Sequence, residues 1–214
     1  MFLILGDEGN LVILNQNTFT ILPSWTKSLS EQRKQDSGIL FVILSNLQGE
    51  QGRKQRQLMR NLWANNLLKQ HRIVFLVTHD VNSEDLMKES ELHDDIVATD
   101  VDHDDDYLPH KHSLIGLVFS HIYSYHSDYT ALLGDDVYVN MDAMTQMAIR
   151  HKYSSNRVFG SLYRHYSPAR NTSAPHYTSI DEWPWSWYPP FLDPHIIIFS
   201  QDTLPHILHH SSTS

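Results

Sequence analysis

Two adjacent carboxylates, Asp135 and Asp136, sit in the stretch LLGDDVYVN at residues 132–140. An apolar run and Gly134 precede them, and an alternating Val-Tyr-Val leads away. Hard oxygen ligands of this kind suit a divalent cation such as Mn²⁺ or Mg²⁺, which can bridge the diphosphate of a nucleotide. Such a pair can supply one metal ligand and one supporting or ribose contact. Taken alone, the stretch reads more simply as a solvated turn, with Asn140 and Asp142 capping the helix that follows. Arg56 and Arg60, in RKQRQLMRNLW, stand one helical turn apart. Both could reach phosphate or uracil oxygens, and the plainer alternative is a solvent-facing basic helix. The acidic run DVDHDDDY at 100–107 lacks the glycine and distal glutamate of a calcium loop and reads as a solvated loop. No histidine pair stands in an H-E-x-x-H pattern, so no zinc site is read. Asn171-Thr172-Ser173 is a glycosylation sequon, usable only in a secretory compartment.

Holding these residues in place needs a frame. The 214 residues, 41% hydrophobic and 19% charged, suffice for one sizeable α/β domain. Short apolar runs alternate with helical patterns: strands in GILFVILSN, RIVFLVTHD, DIVATD, DYTALLGDD and NRVFGSLYR, helices between them. This alternation predicts a mostly parallel sheet flanked by helices, with ligands bound beyond the carboxyl ends of its strands. The helix over 50–71 is expected to turn Leu58, Leu62 and Trp63 to one side. NLVILNQNTFTIL reads as a hairpin around Asn15-Gln16-Asn17, SLSEQRKQDSG as a linker, and the closing HILHHSSTS as a frayed end. YTSIDEWPWSWYPPFLDPHIIIFS is an aromatic loop followed by a strand, suited to a sugar or a hydrophobic patch.

A net charge of -9 argues against a nucleic-acid partner held by a general positive field. The 15 histidines would neutralise part of that charge in a mildly acidic compartment. The absence of cysteine excludes disulfides, thiol nucleophiles and zinc–thiolate sites. The apolar start MFLIL is broken by Asp7 and Glu8, too early for a membrane span, and no signal peptide is read.

Taken in order, the stretches resemble the β-1,3-galactosyltransferase family, glycosyltransferase family 31, over roughly residues 38–208. The matching positions are Arg56, Met59, Arg60 and Trp63, then Asp95-Ile96-Val97 with Asp100, then Leu108 and Lys111. GDDVYVN follows where the family carries three aspartates, and YPPFLDPHIIIFS matches the family's Y-P-P-Y region. The resemblance implies a GT-A type, Rossmann-like α/β domain over 37–214, incomplete at its C-terminus, after an extension or linker over 1–36. It implies an inverting hexosyltransferase that moves galactose or N-acetylhexosamine from a UDP-sugar donor to a glycan acceptor on glycoprotein or glycolipid. Mn²⁺, or Mg²⁺, would be held by Asp136 with Asp135. Arg56, Arg60, Lys111 and Asp135 would lie near the nucleotide, and Tyr188 with Pro189 and Pro190 would wall the sugar pocket. The family also implies the Golgi lumen and a membrane anchor that this chain does not display.

The chain departs from the pattern in places. Gly134 replaces the first aspartate, Leu192 the cysteine after Y-P-P-Y, and Pro194, His195 and Ile196 stand where glycines would let the donor approach the backbone. The E-D-V segment expected to carry the catalytic base falls beyond Ser214. A second reading is therefore a non-catalytic relative that binds UDP or a partner.

Overall fold

The computed structural model describes residues 2–5, 11–14, 19–21, 38–45, 47, 49–64, 71–78, 84–99, 108–123, 127–174 and 176–211. Among these, nine strands form two sheets. In chain order they are β1 (Phe2–Leu5), β2 (Leu11–Leu14), β3 (Phe19–Ile21), β4 (Ile39–Ser45), β5 (Arg72–Thr78), β6 (Ile96–Thr99), β7 (Tyr129–Gly134), β8 (Val158–Tyr163) and β9 (Phe191–Ser200). The helices are α1 (Gly49–Leu62), α2 (Glu84–His93), α3 (Leu108–Tyr123), α4 (Met141–Arg150) and α5 (Leu204–Ser211).

The main sheet has the order β3-β6-β5-β4-β7-β9-β8. Its centre, β6-β5-β4-β7, is parallel throughout, while β3 and β9 run against their neighbours. This is the Rossmann-like α/β sheet expected from the alternation of runs, with antiparallel margins. A central parallel strand covered on both faces has no polar side to show, and ILFVILS of β4 is apolar until its last residue. Ile39, Phe41 and Ile43 face one layer, where they meet Met59 of α1, Trp63 just beyond it, Leu86 of α2 and Ala148 of α4. Leu40 and Val42 face the other, where Ile115, Val118 and Phe119 of α3 and Leu204 and Leu208 of α5 cover them. Each large side chain buried this way contributes roughly 1.5–3 kcal/mol.

Three local expectations are corrected. The face that α1 buries carries Gly52, Arg56, Met59 and Arg60, while Leu58 and Leu62 remain 48% and 52% exposed. Two arginines can take the inner face because acidic side chains waiting there neutralise them. Residues 206–211, read as part of a frayed end, belong to α5, which buried Leu204 and Leu208 pin one turn apart. Finally, β2 pairs with β1, and β3 joins the main sheet against β6, so β2 and β3 do not make a hairpin. The residues between them, Asn15 to Asn17, lie outside the described residues, as do 100–107.

Candidate functional site

From β4 the chain steps outward through β5 and β6, then returns to place β7 on the opposite side of β4. The strand order therefore reverses between β4 and β7, and sheets of this type bind ligands beyond the carboxyl ends at such a reversal. Asp135 and Asp136 form the turn that leaves β7 at that point. The connection from β4 into α1 is equally tight. A Cβ on Gly52 would sit 2.0 Å from the Leu47 carbonyl oxygen, so only glycine fits. Gln55 of α1 then reaches across, its Nε2 donating to the Asp135 carbonyl at 2.6 Å. Asn140, as expected, caps α4, its Oδ1 accepting from the Ala143 N–H at 3.1 Å.

Gly134 gives the turn its shape. A Cβ there would stand 2.8 Å from Asp136 Oδ1, so the missing side chain is the space into which the Asp136 carboxylate folds. On the neighbouring antiparallel strand Leu133 pairs with Ile196, which brings His195 alongside Gly134. The His195 ring bonds the Asp193 carboxylate, which also accepts from the His195 backbone N–H at 2.9 Å and from the Tyr163 hydroxyl at 2.9 Å. These bonds hold the Asp193 carboxyl down at about 2. Asp193, with a smaller push from Asp136, raises the His195 imidazole above its usual value, and Asp193 likewise raises the Tyr163 phenol. Asp193, His195 and Tyr163 were not picked out as site residues. The only sign in the sequence is that Pro194, His195 and Ile196 stand where glycines were expected.

The two arginines among the sequence candidates are engaged elsewhere. Arg56 and Arg60 are both buried, 3% exposed. Arg56 donates to both Glu89 oxygens, at 3.0 and 2.6 Å, and to Ser45 Oγ at 3.2 Å. Arg60 grips Asp95 through two bonds of 2.8 and 2.7 Å, reaches Glu89 at 2.8 Å, and lies over the Phe75 ring. Burial works against the Glu89 charge, but the two guanidinium groups outweigh it and hold the carboxyl below its usual value. Lys111 belongs to α3, and its side chain lies outside the described residues. Tyr188 is half-buried in the aromatic loop, its hydroxyl 2.8 Å from Thr178 Oγ1 and its ring stacked on Tyr166. The structure thus gathers Asp135, Asp136 and His195 at the strand ends and places the two arginines in the α1–α2 interface.

Among the described residues no group of three or more His, Asp or Glu side chains is arranged to hold a metal ion, and no helix is long and apolar enough to cross a membrane. Asn171 of the sequon is exposed in a turn, its Oδ1 accepting from the Ser173 N–H at 3.0 Å.

A family model described as galactosyltransferase matches residues 54–214. The chain is also similar to the human protein named beta-1,3-galactosyltransferase 5, at 23% identity over 168 residues, covering 76% of this chain and 54% of the relative. Its counterpart from Pan paniscus shows the same identity, with 56% of that relative covered. The chain spans about half the length of these curated relatives. With three quarters of its residues inside the family model, the chain belongs to the galactosyltransferase family.

Proposed function

We propose that this chain carries the donor-binding part of a UDP-sugar-dependent hexosyltransferase, acting in the Golgi lumen on a glycan of a glycoprotein or glycolipid. The transferred sugar would be galactose or an N-acetylhexosamine, in β-1,3 linkage. The domain is taken as 37–214, with 1–36 as an extension whose β3 supplies one sheet edge. The observation that carries the reading is the placement of Asp135 and Asp136 at the point where the strand order reverses. A nucleotide lies at that point in sheets of this type.

Asp136, whose carboxylate folds over Gly134 at that strand end, is the proposed metal ligand. Asp135, tethered through its carbonyl to Gln55, assists at the metal or at the ribose. Two carboxylates fit a hard cation such as Mn²⁺ or Mg²⁺, and their small number fits an ion shared with the substrate rather than caged by protein. Such an ion would neutralise charge developing on the departing diphosphate. Lys111 at the start of α3 remains the candidate for a nucleotide contact, and Tyr188 with Pro189 and Pro190 for a wall beside the sugar. For Arg56 and Arg60, engagement with Glu89 and Asp95 supports a positioning role. They lock α1 against α2, and α1 presents Gln55 to the Asp135 turn.

One observation favours a second reading, a relative that binds UDP or a partner without turning substrate over. Pro194, His195 and Ile196 stand beside the Leu133–Gly134 end of β7, where glycines would leave room for the donor. UDP-sugar hydrolysis or transfer separates the two readings. Turnover establishes the enzyme, whereas Mn²⁺-dependent UDP binding without turnover establishes the binder. Absence of both would refute donor binding altogether.

A further inference from the structure

The loop between β8 and β9 exposes two indole rings, although Trp185 packs on Trp183 and Trp187 meets the His165 ring edge-on at 5.9 Å. Trp185 is 62% exposed and Trp187 53%. Large exposed aromatics are expensive to leave in water, and contiguous ones mark interaction sites. This loop is also built to hold them still. The Arg170 guanidinium is spent inside it, donating to the carbonyls of Thr178 at 2.8 Å, Ser179 at 2.7 Å, Trp183 at 2.5 Å and Trp185 at 3.0 Å. Ser179 and Glu182 bond each other reciprocally, and the Trp183 indole N–H donates to the Trp187 carbonyl at 3.1 Å. Behind the exposed rings lies a second aromatic layer. Trp183 packs edge-on against Trp185 at 4.7 Å and tilts on Tyr188 at 5.5 Å.

We propose that Trp185 and Trp187 form a stacking platform for a pyranose ring of the neutral glycan acceptor. An indole face carries a partial negative charge, and the face of a pyranose that bears its axial C–H bonds is apolar and weakly positive. A rigid, preformed aromatic surface binds such a ring without ordering cost. Asp181 and Glu182 at the loop's surface, on a chain of net charge -9, repel anionic ligands and leave a neutral polyhydroxyl partner as the fit. The platform is also continuous with the strand-end carboxylates. Ring contacts run from Trp185 through Trp183, Tyr188 and Phe191 to Tyr163, whose hydroxyl bonds Asp193 next to His195. This inference rests on the glycosyl-transfer reading above and assigns the acceptor side of the same site.

The test is a titration of the intact chain with methyl β-galactoside and methyl β-N-acetylglucosaminide, following the indole N–H resonances by NMR. Saturable shifts of Trp185 and Trp187, assigned by Trp185→Phe and Trp187→Phe, are expected. Trp187→Ala should weaken binding by about tenfold, the loss of one stacked ring. Trp187→Tyr keeps a stacking face and should retain most of the affinity, which guards against misfolding of the alanine variant. Asp136→Ala should leave glycoside binding intact, and Trp187→Ala should leave any Mn²⁺-dependent UDP binding intact, so each half of the site can fail alone. Indole resonances unmoved by both glycosides would overturn the platform. So would concentration-dependent self-association that Trp185→Ala abolishes, since that would make the surface an interface between copies.

Discussion

Gly134 and Asp136 share a small volume at the end of β7. Glycine here serves space, not backbone freedom, since a Cβ would press on the Asp136 carboxylate at 2.8 Å. The obstacle is the tip of a rotatable side chain. Gly134→Ala is therefore expected to leave stability nearly unchanged while swinging Asp136 aside and weakening Mn²⁺-dependent UDP binding several-fold. Paired calorimetric titrations and unfolding curves check both halves. His195 gives an independent readout of the same corner. Its imidazole titrates above 6.5 because Asp193 holds the cation. The pair therefore favours the folded chain below that pH and loses its effect as pH rises through the elevated value. Both groups are solvent-screened, so NMR titration of the ring is a better measure than stability. Asp193→Asn should bring the His195 midpoint down, and an unchanged midpoint would show that Asp193 does not set it. The sequence shows this corner only as separate residues, the two aspartates, Gly134, and Pro194-His195-Ile196 in place of glycines, and not as one site. Cross-strand neighbours such as Gly134 and His195 depend on register, which a single strand's pattern does not reveal.

At the scale of elements, α1 is held by charge as much as by apolar contact. Glu89 of α2 accepts from both Arg56 and Arg60, and Asp95 accepts from Arg60. Removing one partner of a buried pair leaves an uncompensated charge, so Glu89→Gln should destabilise the fold by about 3 kcal/mol in urea unfolding. Glu89 also titrates below its usual value. Its contribution is present above about 4.5 and disappears as pH falls through the lower folded value, and Glu89→Gln should flatten that part of the stability profile. His71 adds a second acid-sensitive point. Its Nδ1 accepts from the Ile39 N–H at 3.1 Å, so Nε2 carries the proton and donates to Thr145 Oγ1 at 2.9 Å. Burial pushes the imidazole below 6.5, and the neutral ring that β4 and α4 require is fully favoured only above that value. Stability should fall as pH drops from 6.5 toward the lower folded value, and His71→Gln should remove that slope. The strands at the centre of the sheet were legible because fully buried parallel strands read as apolar runs. The inner face of α1 was not, because its arginines are paired with acids some thirty residues away, and hydrophobic patterning sends arginine to solvent.

At the scale of the whole molecule, the sheet order explains why two aspartates can be more than a turn. Their chemistry is unremarkable in isolation, and the same two letters would cap any helix. What singles them out is the reversal of strand order between β4 and β7, with α1 reaching over to fix the Asp135 carbonyl. The order of motifs along the chain already pointed to the galactosyltransferase family, while the reversal became visible only in three dimensions. The most direct measurement of the central claim is calorimetric titration of the chain with UDP, with and without Mn²⁺, for wild type and Asp136→Ala. Donor binding at this strand end predicts Mn²⁺-dependent binding in the wild type and its loss in Asp136→Ala. It also predicts a native state stabilised by about 2.7 kcal/mol when UDP is present at 100 times its Kd. Equal binding by Asp136→Ala, or no Mn²⁺-dependent binding by the wild type, would contradict it.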